Sequence, residues 1–157
     1  MNQSAIQAKA EMLIRRPVTE VFAAFTNPEV TTKFWFTKSS GPVEPGKQLQ
    51  WEWEMYNAST EVTVKAVEAN KRILIEWSGY DAPNSVEWVF KPLNDGTTFV
   101  SIINSGFSGD ETSQFRQALD STEAFAMVLA GAKAWLEHGI RLNLIADRFP
   151  AGLTTGA

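Results

Sequence analysis

One histidine and no cysteine among 157 residues set the outer limit on the chemistry this chain can perform. A thiol nucleophile, a disulfide framework and any zinc site needing two or more His or Cys ligands are excluded. His138 falls between Trp135 and Gly139, late in a helical pattern. There the negative end of the helix favours a partly exposed imidazole rather than a catalytic base. The sequence holds no glycine-rich phosphate loop, G-x-S-x-G elbow, H-E-x-x-H pair or EF-hand loop. The fragment Gly106-Phe107-Ser108-Gly109 lacks the spacing of a nucleophile elbow. No metal and no cofactor are expected, and no catalytic residue is assigned.

What remains is aromatic. The chain carries 6 Trp and 10 Phe. Trp51, Trp53, Trp77 and Trp88 all fall on the apolar side of a period-two alternation, while Glu52, Glu54, Glu76 and Glu87 fall on the other. The apolar faces thus carry indole rings without titratable groups, which suits stacking and enclosure better than proton transfer. Asn104 lies on the apolar side of its own run, where an amide needs partners or water. Two readings stay open for this set: the rings fill the core and Asn104 closes a turn, or together they wall a cavity.

The elements that must position these residues follow from periodicity. Ile6, Ala8, Ala10, Met12 and Ile14 alternate as a half-buried strand. Pro17 suits a first helical position ahead of Val18, Val21, Phe22 and Phe25, and Asn27-Pro28 caps a second short helix carrying Val30, Phe34 and Trp35. From Lys47 to Asn104 the period returns to two, and turn residues divide it into five strands, with a loop at Tyr80–Asn84 and a hairpin at Asn94-Asp95-Gly96. After Gly106 a helical stripe including Phe115, Leu119, Phe125, Leu129, Trp135, Ile140 and Ile145 runs from about Asp110 to Phe149, with possible bends at Gly131 and Gly139.

A sheet with one apolar face must bury it, and that helix is the long apolar element available. The expected fold class is α+β: a helix-grip fold in which a curved six-stranded antiparallel sheet wraps a long carboxyl-terminal helix, with two short helices after the first strand. One domain is expected over 1–157, ordered from about 6 to 149, with a disordered tail from Pro150.

A net charge of −4 and a pI near 5.0, with no basic run, disfavour nucleic acid and anionic lipid as partners. Met1–Lys9 has no apolar core of signal-peptide length, and Ala124–Ala132, the longest apolar stretch, is too short to span a bilayer. A soluble, cytoplasmic protein is expected, with no preference as to oligomeric state.

The residues resemble the helix-grip START and polyketide-cyclase superfamily (SRPBCC), and within it proteins similar to the carboxyl-terminal domain of the heat-shock-protein-90 ATPase activator. The resemblance is carried by Arg16-Pro17-Val18-Thr19-Glu20-Val21-Phe22, Thr26-Asn27-Pro28-Glu29, Lys33-Phe34-Trp35-Phe36 and Asn104-Ser105-Gly106-Phe107, within a match from about Ile6 to Phe149. It implies a space between helix and sheet that holds a hydrophobic small molecule, with Trp35 and Phe36 at its border. Two positions depart from the pattern: Asn104 stands where many relatives carry His, and Ala124-Phe125 where a Gly-Trp pair is frequent.

The leading functional expectation is a cavity of roughly 300 to 1,000 Å³ for a hydrophobic or aromatic small molecule, against the first half of the long helix. Trp51, Trp53, Trp77 and Trp88 form its wall, Trp35, Phe36 and Phe107 its mouth, and Phe125 and Leu129 its helical side. Ala118, Ser121 and Thr122 make the small and polar part of the helix face, and Asn104, Ser121 or Thr122 orient the ligand. In the second half, Trp135, Leu136 and Ile140 pack solid. A cyclase or aromatase-like enzyme is the alternative, and a regulatory partner of a chaperone ATPase ranks third.

Overall fold

Alternating side chains convert directly into strands in the computed structural model, which describes residues 6–78 and 82–153. The strands are β1 (Ala8–Ile14), β2 (Lys38–Ser39), β3 (Gln48–Trp53), β4 (Ala58–Glu68), β5 (Arg72–Trp77), β6 (Asn84–Pro92) and β7 (Thr98–Ser105). They form one antiparallel sheet in the order β1-β7-β6-β5-β4-β3-β2. As expected, β1 joins the meander by pairing with its last strand, with Ala10 opposite Ile102. Among the described residues the sheet has seven strands rather than six. The addition is β2, a two-residue strand on the outer edge of β3, too short to show any alternation.

The helical insert lies between β1 and β2. Helix α1 (Val18–Thr26) buries Val21, Ala24 and Phe25, and Pro17 occupies its cap, one position earlier than expected. Helix α2 is only Pro28–Thr31, so Phe34 and Trp35 lie beyond it rather than within it. Asn27 caps it by accepting a hydrogen bond from Glu29 N at 3.0 Å. Thr31, almost fully buried, donates from its hydroxyl to Ala24 O and accepts the Trp35 N–H at 3.0 Å on its carbonyl. The α1–α2 corner thereby holds Trp35 at the sheet.

The long helix, α3, runs Glu111–His138 and is capped by Asp110, which accepts from Ser113 N at 2.8 Å. It ends eleven residues before the expected Phe149, because Gly139 adopts a left-handed conformation (φ 66°). Gly139 N then bonds Trp135 O at 2.8 Å, and Ile140 N bonds Ala134 O at 3.3 Å. A separate short helix, α4 (Leu144–Arg148), follows. Gly131 lies within the uninterrupted span of α3. A Cβ there would lie 3.1 Å from Phe34 Cβ and 3.4 Å from Phe34 O, so the glycine permits close approach of the helix to the insert.

The buried face of α3 is Ala118, Phe125, Val128, Leu129, Gly131 and Ala132. Phe115, Leu119 and Ile140, expected in the apolar stripe, are exposed, at 53%, 72% and 51%. Trp135 and Leu136 are half-buried, with Lys33 Nζ 5.6 Å from the centre of the Trp135 ring. Helix α3 also closes the β1 edge, where Lys133 Nζ donates to Leu13 O at 2.8 Å and Glu137 Oε2 accepts from Arg15 N at 2.6 Å. Tyr80 and Asp81 of the expected loop, and 154–157 of the expected tail, lie outside the described residues, while Pro150–Leu153 are described. Among the described residues no helix is long and apolar enough to cross a membrane.

Candidate functional site

The tryptophans do share the face toward α3, and Trp35 is the hub at which they meet. Its ring centre lies 5.1 Å from that of Trp51, 6.1 Å from those of Trp53 and Trp77, 5.9 Å from Trp88 and 5.6 Å from Phe125. Trp77 stacks on Phe125 at 5.9 Å and 22°. The cluster does not fill the space between sheet and helix. A cavity of about 510 Å³ remains at the end where the first half of α3 crosses the ends of β5, β6 and β7.

Position along each strand decides which aromatic ring reaches that cavity. Trp53 and Trp77 end their strands and line it, as do Trp35, Phe107 and Phe125. Trp88 sits mid-strand between Ile73 and Ile102 and is 2% exposed, so it belongs to the core rather than the wall. Trp51 is equally buried, under Phe36, whose ring stacks on it at 4.6 Å and 23°. Phe36 is therefore packed away from the mouth, and Trp35, 7% exposed, lies deep in the site rather than at its rim. Leu129 and Ala118 are buried off the cavity. Thr122 faces out, its hydroxyl donating to Ala118 O at 2.7 Å.

The polar end of the site is a connected chain of side chains. Ser121 Oγ donates to Asn104 Oδ1 at 2.8 Å. Asn104 Nδ2 donates to Ser85 O at 2.8 Å and to Asn84 Oδ1 at 2.6 Å, and Trp77 Nε1 donates to that same Asn84 oxygen at 2.8 Å. Asn104 ties β7 to β6 and to α3 and lines the cavity, while its partners lie on β6 and α3 and not in the turn between β7 and α3 that it was expected to close. Its partner Asn84 lines the cavity too, although its place beside Pro83 reads as loop. It opens β6 instead, directly opposite Trp77.

Three further lining residues were not legible from strand parity. Beyond Trp53 the chain makes a single 3-10 turn, Glu54–Tyr56, which breaks the alternation and carries Tyr56 from the wet side to the cavity. Its hydroxyl donates to Ile145 O, with Ala146 O at 3.2 Å, and so tethers α4 over the site, where Ile145 forms part of the wall. Arg148 Nε, paired with Glu123 Oε2 at 3.0 Å, holds the other end of α4 to α3. Asp120 stands exposed at the lip, so the cavity does have a carboxylate, supplied by the helix and not by the sheet. His138 is exposed at the far end of α3, 3.7 Å from Glu137 Oε1.

A long helix gripped by an antiparallel sheet, with an apolar cavity between them, defines a helix-grip protein of the SRPBCC kind. The family model described as activator of Hsp90 ATPase homolog 1-like protein matches residues 15–128, and the chain belongs to that family. No curated protein matches the sequence. Among solved structures, a Staphylococcus saprophyticus protein is 29% identical, with a TM-score of 0.74 over 87% of this chain and 95% of that one. The Aha1 dimer from Colwellia psychrerythraea is 18% identical, with a TM-score of 0.73 over 85% of this chain and 98% of that one. DynU16, a protein in the dynemicin biosynthetic locus, is 18% identical at a TM-score of 0.73, over 88% of this chain and 49% of that one. The last two are likenesses of fold.

Proposed function

We propose that the protein binds a hydrophobic or aromatic small molecule, in the cytoplasm, within the cavity between the sheet ends and the first half of α3. One observation carries the reading: a space of about 510 Å³ walled by Trp35, Trp53, Trp77 and Phe125 and ending in an ordered amide network. Indole and phenyl faces supply apolar area and stacking, while a few fixed polar groups orient what enters. The family membership and the helix-grip fold are consistent with this reading.

A cyclase-like enzyme is the second reading, supported by Asp120 and Tyr56, titratable groups that line the cavity. Binding ranks above it because the Tyr56 hydroxyl hydrogen is committed to α4 backbone carbonyls and Asp120 stands at the exposed lip. Regulation of a chaperone ATPase ranks third.

The test is a thermal-shift and tryptophan-fluorescence screen against a panel of hydrophobic and aromatic compounds. A compound at about a hundred times its Kd adds about 2.7 kcal/mol to the folded state, which raises the melting temperature. Hits are expected to quench tryptophan emission and to weaken in both effects in Ala124→Trp, which places a large ring in the cavity. A panel giving neither shift nor quenching overturns the reading.

A further inference from the structure

The hydrogen-bond polarity of the amide network says which kind of ligand atom the cavity accepts. An indole N–H can donate but never accept, so Asn84 must turn its oxygen, not its nitrogen, toward Trp77 Nε1. That same oxygen takes its second hydrogen bond from Asn104 Nδ2 at 2.6 Å. Asn104 cannot turn over in exchange. Its oxygen receives the Ser121 hydroxyl, and its nitrogen also serves the Ser85 carbonyl. Both lone-pair positions of Asn84 Oδ1 are thus occupied.

The Asn84 side chain, only 8% exposed and part of the cavity lining, is left with its NH₂ group, which donates to none of the described residues. An amide donor at a cavity wall offers a hydrogen bond to a ligand oxygen placed against it. Asp120, the carboxylate at the lip, disfavours an anionic oxygen and leaves a neutral one.

We infer that the ligand is a flat apolar molecule carrying a neutral carbonyl-type oxygen, which accepts a hydrogen bond from Asn84 Nδ2 while its rings lie against Trp77 and Trp53. This inference rests on the ligand-binding reading above and adds a selectivity to it. The network keeps the donor rigid, because turning the amide would set an N–H against both the Trp77 and the Asn104 donors at once.

The matched pair 9-fluorenone and fluorene, alike in shape and differing in the carbonyl, tests it by titration calorimetry. Wild-type protein is expected to bind fluorenone about tenfold more tightly. Asn84→Asp keeps an oxygen for Trp77 and Asn104 but replaces the donor with an acceptor, so the preference for fluorenone over fluorene should vanish. In wild-type protein, independent of any variant, the Asn84 side-chain amide resonances should move further with fluorenone than with fluorene. Equal affinities in wild type, failure of both compounds to bind while other panel members do, or a preference that survives in folded Asn84→Asp overturns the inference and leaves the cavity reading standing. A panel silent throughout overturns both.

Discussion

Trp88 and Trp53 share an alternation phase and a residue type yet do different work, and the difference is one of place. Trp88 is flanked by Ile73 and Ile102 in the middle of the sheet, and its Nε1, like that of Trp51, has no hydrogen-bond partner among the described residues. Both rings act as core hydrophobes. Trp88→Ala should therefore cost about 3 to 5 kcal/mol by urea denaturation, whereas Trp53→Ala, at a half-buried strand end, should cost less than about 2 kcal/mol and yet weaken ligand binding. Asn104→Leu leaves the Ser121 hydroxyl without its acceptor and Asn84 without one of its donors. It should lower stability by about 1 to 3 kcal/mol, read from the same denaturation midpoint. Parity placed every sheet tryptophan on the correct face, because a side-chain period of two leaves no other choice. It could not separate wall from core, since that depends on which strands flank a ring and how far it stands from the strand end.

At the scale of elements, the join between α3 and β1 carries a pH dependence. Burial pushes the Glu137 carboxyl up, but hydrogen bonds from Lys133 and from the Arg15 backbone N–H, with the nearby charges of Lys133 and His138, outweigh it and hold the group below its usual value. A carboxylate depressed in the folded state contributes stability above its unfolded pKa, and the contribution is lost as pH falls through the folded value. Glu137→Gln should accordingly lower the melting temperature most near neutral pH, and the gap to wild type should close as the pH drops below the ordinary carboxylate range. The elements that escaped sequence reading did so for physical reasons. The apolar period continued through Ile140 and Ile145, so the break at Gly139 was hidden, although left-handed glycine is a frequent helix stop. The two residues of β2 are too few to express a period, and the 3-10 turn at Glu54–Tyr56 shifted Tyr56 by a fraction of a turn that strand counting cannot follow.

For the molecule as a whole, the grip of sheet on helix was legible, because a one-faced sheet and a single long amphipathic helix have one economical way to cover each other. The cavity was expected from a small and polar face of α3 at Ala118, Ser121 and Thr122, which cannot fill the gap between large rings; of these Ser121 lines it, joined by Ala124. Its roof was not legible, since α4 reaches the site only through Tyr56 and Arg148, contacts between segments far apart in the chain. The most direct test of ligand binding in that cavity is an ¹H–¹⁵N titration of the six tryptophan indole resonances with the tightest-binding panel compound. The indole signals of Trp53 and Trp77 should move on binding, with Trp135, outside the cavity lining, unmoved. Saturation with the Trp53 and Trp77 signals fixed, or with Trp135 alone responding, would place the ligand elsewhere and contradict the account.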